Sequence, residues 1–343
     1  MTATVPSTSA SSSAVNDVAA AGASNATVES GRKARRTLVK EARAAESHCV
    51  AVVRNGKTVV KRDLARDVST SAGWSITKSV TALLVGIAQD RGMLRLNHRV
   101  SRYVPAWRGT PSRNVRIHHL LDNTSGRQWS EKLDYERMAG KAPNKTRFAI
   151  RLKQQHRPGK VWVYNNSAIQ VLEQVLERAT GQPVAAFAQR TLLGPLGMRR
   201  TSIQADGAGN PMLFGGITTT CTDLLRLGAM LVDRGRFEGR RIVSRAYWKR
   251  ATQRPSQRLN TGYGLLFWIN ETGPLLGSLP GEEGEGPLVP GAGRDAFWAI
   301  GLFSQHLFVS PSKKVVAVRL GLAPPSGTWS LQRFAELALA ARR

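Results

Sequence analysis

Asn55-Gly56 lies between two β-rich runs, Cys49 to Arg54 and Lys57 to Lys61, and constrains the fold more than any other feature of the chain. A two-residue hairpin turn needs positive φ at both central positions, which Asn-Gly adopts at little cost, so an antiparallel hairpin is predicted here. Strand patterns then return only far downstream, at Gly264 to Ile269, Ala296 to Leu302, Gln305 to Val309 and Val315 to Leu320. The intervening sequence has helical spacing: Val80, Leu83, Leu84 and Ile87 on one face, then Ile169, Leu172, Val175, Leu176 and Ala179 on another, with further helices over Pro183 to Leu193 and Thr222 to Arg234. These patterns predict an α+β fold. Its antiparallel sheet draws on about 48–66 and 260–320, is flanked by helices, and has a mostly helical region of about 75–235 inserted between its two parts.

Residues 1–31 are rich in Ala, Ser and Thr with few large apolar side chains, and are predicted to be a disordered tail ahead of one domain over 32–343. The tail has no Lys or Arg and no apolar core, so it does not read as a secretory signal, and a cytoplasmic location is expected. Arg32 to Glu46 reads as a short helix on the sheet, anchored by Leu38 and Val39, and Trp329 to Ala341 as a closing helix capped by Thr328. Gly281 to Gly286, with its acidic residues, reads as a loop. No apolar run is long enough to span a bilayer.

The net charge is +27, from 50 Lys and Arg against 23 Asp and Glu, yet apart from Arg32, Lys33, Arg35 and Arg36 the cations are scattered. No nucleic-acid motif accompanies them, so no specific nucleic-acid partner is expected. Cys49 and Cys221 read as reduced packing residues rather than a disulfide framework. His118 and His119 are adjacent, which keeps them off a shared helical face as ligands, and neither metal nor cofactor is predicted.

Two motifs carry chemistry. In Ser75-Ile-Thr-Lys78 the serine stands at the start of a predicted helix, and positions three apart share a face, so the Lys78 amine can reach the Ser75 hydroxyl. A second S-x-x-K, Ser310-Pro-Ser-Lys313, falls in a Pro-containing turn with no such face and reads as a chance match. Tyr164-Asn-Asn166 immediately precedes a helix and is the single Tyr-x-Asn of the chain.

In this order the motifs resemble those of serine hydrolases of the class C β-lactamase, D-alanyl-D-alanine carboxypeptidase and esterase superfamily. The resemblance runs from about Cys49 to the end and includes His119-Leu-Leu-Asp-Asn-Thr-Ser-Gly126, Pro195-Leu-Gly-Met198 and Gly215-Gly216. The usual third motif, Lys-Thr-Gly or His-x-Gly, is missing; Ala299-Ile-Gly301 through Gln305 is similar instead to the 6-aminohexanoate-dimer hydrolase branch, with Ser304 where a Gly is usual. The resemblance implies a β-lactamase/transpeptidase-like fold and an acyl-enzyme on Ser75, with Lys78 and Tyr164 sharing the proton. It further implies an oxyanion site at the amides of Ser75 and Leu302 beside Gly301, Asn166 orienting Lys78 or a substrate carbonyl, and Gln305 in support. Small amides or esters are the expected substrates, and loss of the third-motif cation argues against penicillin turnover. A penicillin-binding-like protein without turnover, a D-amino-acid peptidase or β-lactamase, and a nucleic-acid-associated protein are the other readings; no feature of the sequence specifies an oligomeric state.

Overall fold

A computed structural model describes residues 30–65 and 67–342, so residues 1–29 of the expected tail lie outside the described residues. The hairpin forms as predicted: Ser47–Arg54 (β1) pairs with Lys57–Asp63 (β2), and the turn carries Asn55 at φ 49° and Gly56 at φ 72°. The late strands are Trp268–Ile269 (β3), Phe297–Gly301 (β4), Gln305–Ser310 (β5) and Val315–Gly321 (β6). They join the hairpin in one antiparallel sheet of order β2-β1-β6-β5-β4-β3. The first and last strands of the folded region thus sit side by side, with Cys49 opposite Leu320 and Val52 opposite Ala317.

Alternation along the strands builds two cores. Cys49, Ala51, Leu307, Val309, Val316 and Val318 face the inserted helical region. Val50, Val52, Phe308, Val315 and Ala317 face a helix over 30–44 (α1) and the closing helix Leu331–Ala340 (α4). A strand covered on both faces reads as a continuous apolar run, which is how β6 appears in the sequence. Between the sheet and the other helices lies Ile76–Asp90 (α2), buried from Ile76 through Ala88. A helix buried on all sides is a core element, and this one carries the serine motif at its N-terminus.

Several expectations shift. Cys49 and Cys221 are joined in a disulfide, not reduced, because β1 and the start of helix Cys221–Val232 (α3) pack together across 172 residues of sequence. Gly281 to Gly286 is not a loop: Glu283–Gly286 pairs with Gly273–Leu276 in a ribbon held by backbone bonds, which leave no apolar alternation to detect. The Gly264 to Ile269 strand shortens to β3, since Leu266 at φ 56° cannot continue a pleat. The closing helix is capped by Ser330, which accepts from the Arg333 amide, while Thr328 donates to Pro325 in the preceding turn.

Candidate active site

Ser75 follows the short strand Ser71–Trp74, which pairs with Ile217–Thr219, and Trp74 sits at φ 49° where the chain turns into α2. Such a conformation in a bulky residue is costly and persists only where its surroundings enforce it. Here Thr77 enforces it, donating to the Trp74 carbonyl at 2.5 Å and accepting from the Ile217 amide at 2.9 Å. One turn on, Thr81 donates to the Leu213 carbonyl at 2.8 Å. The polar face of α2 is therefore fastened to segment 213–217.

Lys78 lies on that same face. Its Nζ donates to Ser75 Oγ at 2.7 Å and to the Phe214 carbonyl at 2.7 Å, and stands 4.8 Å from the centroid of the Tyr164 ring. Burial disfavours the ammonium and pushes Lys78 down to about 7, the Asp134 charge pulling the other way. Tyr164 is also buried, which raises its phenol above the ordinary tyrosine range, and a hydrogen bond with Ser75 acts against that rise. Ser75 is thus flanked by an amine close to its titration point near neutral pH and by a neutral phenol.

The Tyr164 loop is placed by the His119 to Gly126 segment and the residue after it: the Val163 amide donates to the Asn123 carbonyl at 3.0 Å, and Asn165 Nδ2 donates to the Arg127 carbonyl at 3.3 Å. Trp268 stacks on the Tyr164 ring with centroids 6.0 Å apart, and Tyr263 meets it edge-on at 6.2 Å. Asn165, rather than Asn166, caps the helix that follows, accepting from the Ala168 amide at 2.7 Å.

The third wall is the end of β4. A Cβ on Gly301 would stand 2.2 Å from the Gly73 carbonyl oxygen, so only glycine lets this strand approach the serine so closely. The turn beyond it places Phe303 at φ 61° and Ser304 at φ 58°, conformations that favour glycine. Buried Arg319 holds the turn by donating to the Phe303 carbonyl at 2.5 Å and the Ser304 carbonyl at 3.2 Å, and the Phe303 ring packs edge-on against Trp74. Gln305 lies behind the site, bonding the Gly321 backbone at 2.8 and 2.9 Å.

Ser75, Tyr164, Asn166, Gly301 and Leu302 line one cavity of about 380 Å3, with Lys78 buried beneath Ser75. Trp74, Tyr135, Met212, Phe214, Trp268 and Ile300 supply most of the remaining wall, and among the described residues no Lys, Arg or His lines it. The sequence reading missed the π-helical segment Lys132–Lys141, which brings Tyr135 to the wall and Asp134 beneath it. Asn166 Nδ2 donates to Asp134 at 2.9 Å, and Lys78 is held by Ser75 and Phe214. Among the described residues no helix is long and apolar enough to cross a membrane.

Comparison with known proteins places the chain among hydrolases of one fold. The chain is 35% identical over 148 residues to the esterase EstB of Burkholderia gladioli, covering 36% of each protein. It is 24% identical over 271 residues to the 6-aminohexanoate-dimer hydrolase of Paenarthrobacter ureafaciens, covering 74% of this chain and 66% of that one. These curated relatives are thus spanned over about a third to two thirds of their own length. The solved structure of EstCE1, a hydrolase with promiscuous acyltransferase activity, superposes with a TM-score of 0.69 at 17% identity, over 92% of this chain and 99% of that one. The Beta-lactamase family model matches residues 35–328, and with the serine, lysine and tyrosine converging on one cavity, the chain belongs to the beta-lactamase family within the serine hydrolase superfamily.

Proposed function

We propose that this protein cleaves ester or amide bonds of small, uncharged substrates through an acyl-enzyme on Ser75. The observation that carries the reading is the 2.7 Å contact of Lys78 Nζ with Ser75 Oγ at the floor of a cavity that Tyr164 also lines. As Ser75 Oγ attacks the carbonyl carbon, the neutral Lys78 amine takes its proton. Tyr164 gives its own proton to the departing oxygen or nitrogen and regains one from Lys78. The Ser75 and Leu302 amides, beside Gly301, are the oxyanion donors in this reading, and water then releases the acyl group.

The aromatic and aliphatic walls suit an apolar acyl chain. Among the described residues no cation lines the wall, so a substrate carboxylate has no oppositely charged partner there, which disfavours β-lactams. The names of the two relatives, an esterase and a 6-aminohexanoate-dimer hydrolase, are compatible with this reading. The Cys49–Cys221 disulfide favours an oxidising compartment over the cytoplasm. The test treats wild type and Ser75→Ala with a fluorophosphonate probe and with p-nitrophenyl esters of increasing chain length. Labelling and turnover are expected in the wild type alone, and turnover that survives in Ser75→Ala removes Ser75 as the nucleophile.

A further inference from the structure

Asp134 is 1% exposed, yet among the described residues it forms no ion pair with Lys or Arg. Its carboxylate is instead satisfied by neutral donors. Oδ2 accepts from the Asn166 amide at 2.9 Å, Asn166 Nδ2 at 2.9 Å and Trp129 Nε1 at 3.2 Å. Oδ1 accepts from the Ser167 amide at 2.7 Å and Ser167 Oγ at 2.6 Å. Two of these donors are first-turn amides of the helix Asn166–Gln170, which no earlier residue of that helix can satisfy. Asn165 takes the Ala168 amide, so side chains satisfy the start of this helix and fix the loop that carries Tyr164.

An ionised carboxylate only accepts, so the Asn166 side chain has one orientation available: NH2 toward Asp134, oxygen away. Asn166 lines the cavity beside Tyr135. The groups facing the Lys78 amine are the Ser75 hydroxyl, the Tyr164 ring and the Phe214 carbonyl, and Asp134 is the carboxylate whose charge reaches it.

From this geometry we infer that Asp134 is the positioning residue of the site: it orients Asn166 so that an acceptor rather than a donor faces the substrate. The inference rests on the serine-hydrolase reading above. Asp134→Asn keeps the size of the side chain but removes its charge and lets the Asn166 amide turn over.

The experiment measures kcat/KM for p-nitrophenyl butyrate against pH in wild type, Asp134→Asn, Asn166→Ala and the double variant, with Ser75→Ala alongside. Asp134→Asn is expected to lower kcat/KM by about 10- to 100-fold, mostly in kcat. In the Asn166→Ala background the same change should cost less than about threefold, because the two residues act through one contact. The pH limb belonging to Lys78 should move to lower pH in Asp134→Asn, since a nearby negative charge has been removed. Additive losses with an unmoved limb would make Asp134 a purely structural residue and overturn the inference.

Should Asp134→Asn fail to fold, Ser167→Ala serves, because it removes one donor but keeps the charge and both Asn166 bonds. It is expected to lower kcat/KM by less than about threefold with the limb in place, and a loss equal to that of Asn166→Ala would assign the carboxylate to the turn alone. Turnover in Ser75→Ala would be a failure of the underlying reading, distinguishable from both.

Discussion

The letters S-x-x-K recur at Ser75 and at Ser310 and make two unlike structures there. Ser75 and Lys78 begin a helix enclosed by the core, their side chains 2.7 Å apart on one face, with the amine buried. Ser310 ends β5 with its hydroxyl buried and unpartnered, and Lys313 stands exposed beyond Pro311. Identical spacing yields a chemical pair only where the backbone turns one residue toward the other and the fold removes water around both. Burial, rather than the motif, then lowers the proton affinity of the amine.

The strongest way to break this comparison is to delete each serine. Ser75→Ala should lower kcat/KM toward p-nitrophenyl butyrate by about 10^4-fold or more, whereas Ser310→Ala should leave it within about twofold, measured on variants of equal helicity by circular dichroism. The lysines come next. Lys78→Met should lower kcat by about 10^2- to 10^4-fold, the range for loss of a general base, and Lys313→Met should leave it unchanged.

The pH profile sharpens the same contrast. A base must be neutral to act, so wild-type kcat/KM should fall about tenfold per unit once the pH drops below the Lys78 value of about 7. A flat profile from pH 5 to 8 would mean that the amine is not the group that takes the proton.

The strand region separates legible from illegible features most clearly. Asn55-Gly56, the alternation in β1 and the apolar run of β6 are local signals, and each leads directly to an observed element. The predicted cavity residues could be named because two short motifs fix the local geometry of Ser75, Lys78 and Tyr164. Asp134 gave no such signal, being one carboxylate in a basic stretch whose partners lie 32 and 33 residues downstream. The disulfide was hidden for the same reason at longer range, since its pairing depends on β1 packing against α3 rather than on spacing.

Two smaller effects test what supports the Ser75 side. Cys49→Ser with Cys221→Ser opens a loop of 172 residues, and urea melts should show a loss of about 2 to 5 kcal/mol. Ser304→Gly relieves a left-handed serine in the turn at the other end of β5 from Ser310, and should raise stability by about 1 kcal/mol. A destabilised Ser304→Gly would show that the serine side chain contributes more than its backbone conformation costs.

The enclosure of α2 has a further consequence for how such a site can diversify. A serine mounted on so enclosed a helix cannot be re-aimed by drift at the surface, because a volume change along the buried run Ile76 to Ala88 is felt by the packing around it. New acyl preferences must therefore come from the peripheral pieces that meet the cavity: the Lys132–Lys141 segment, Ser278 beside the ribbon and the exposed Leu302. A randomised library confined to those positions should yield mostly soluble protein with altered chain-length selectivity, while one spread over α2 should yield mostly insoluble chains.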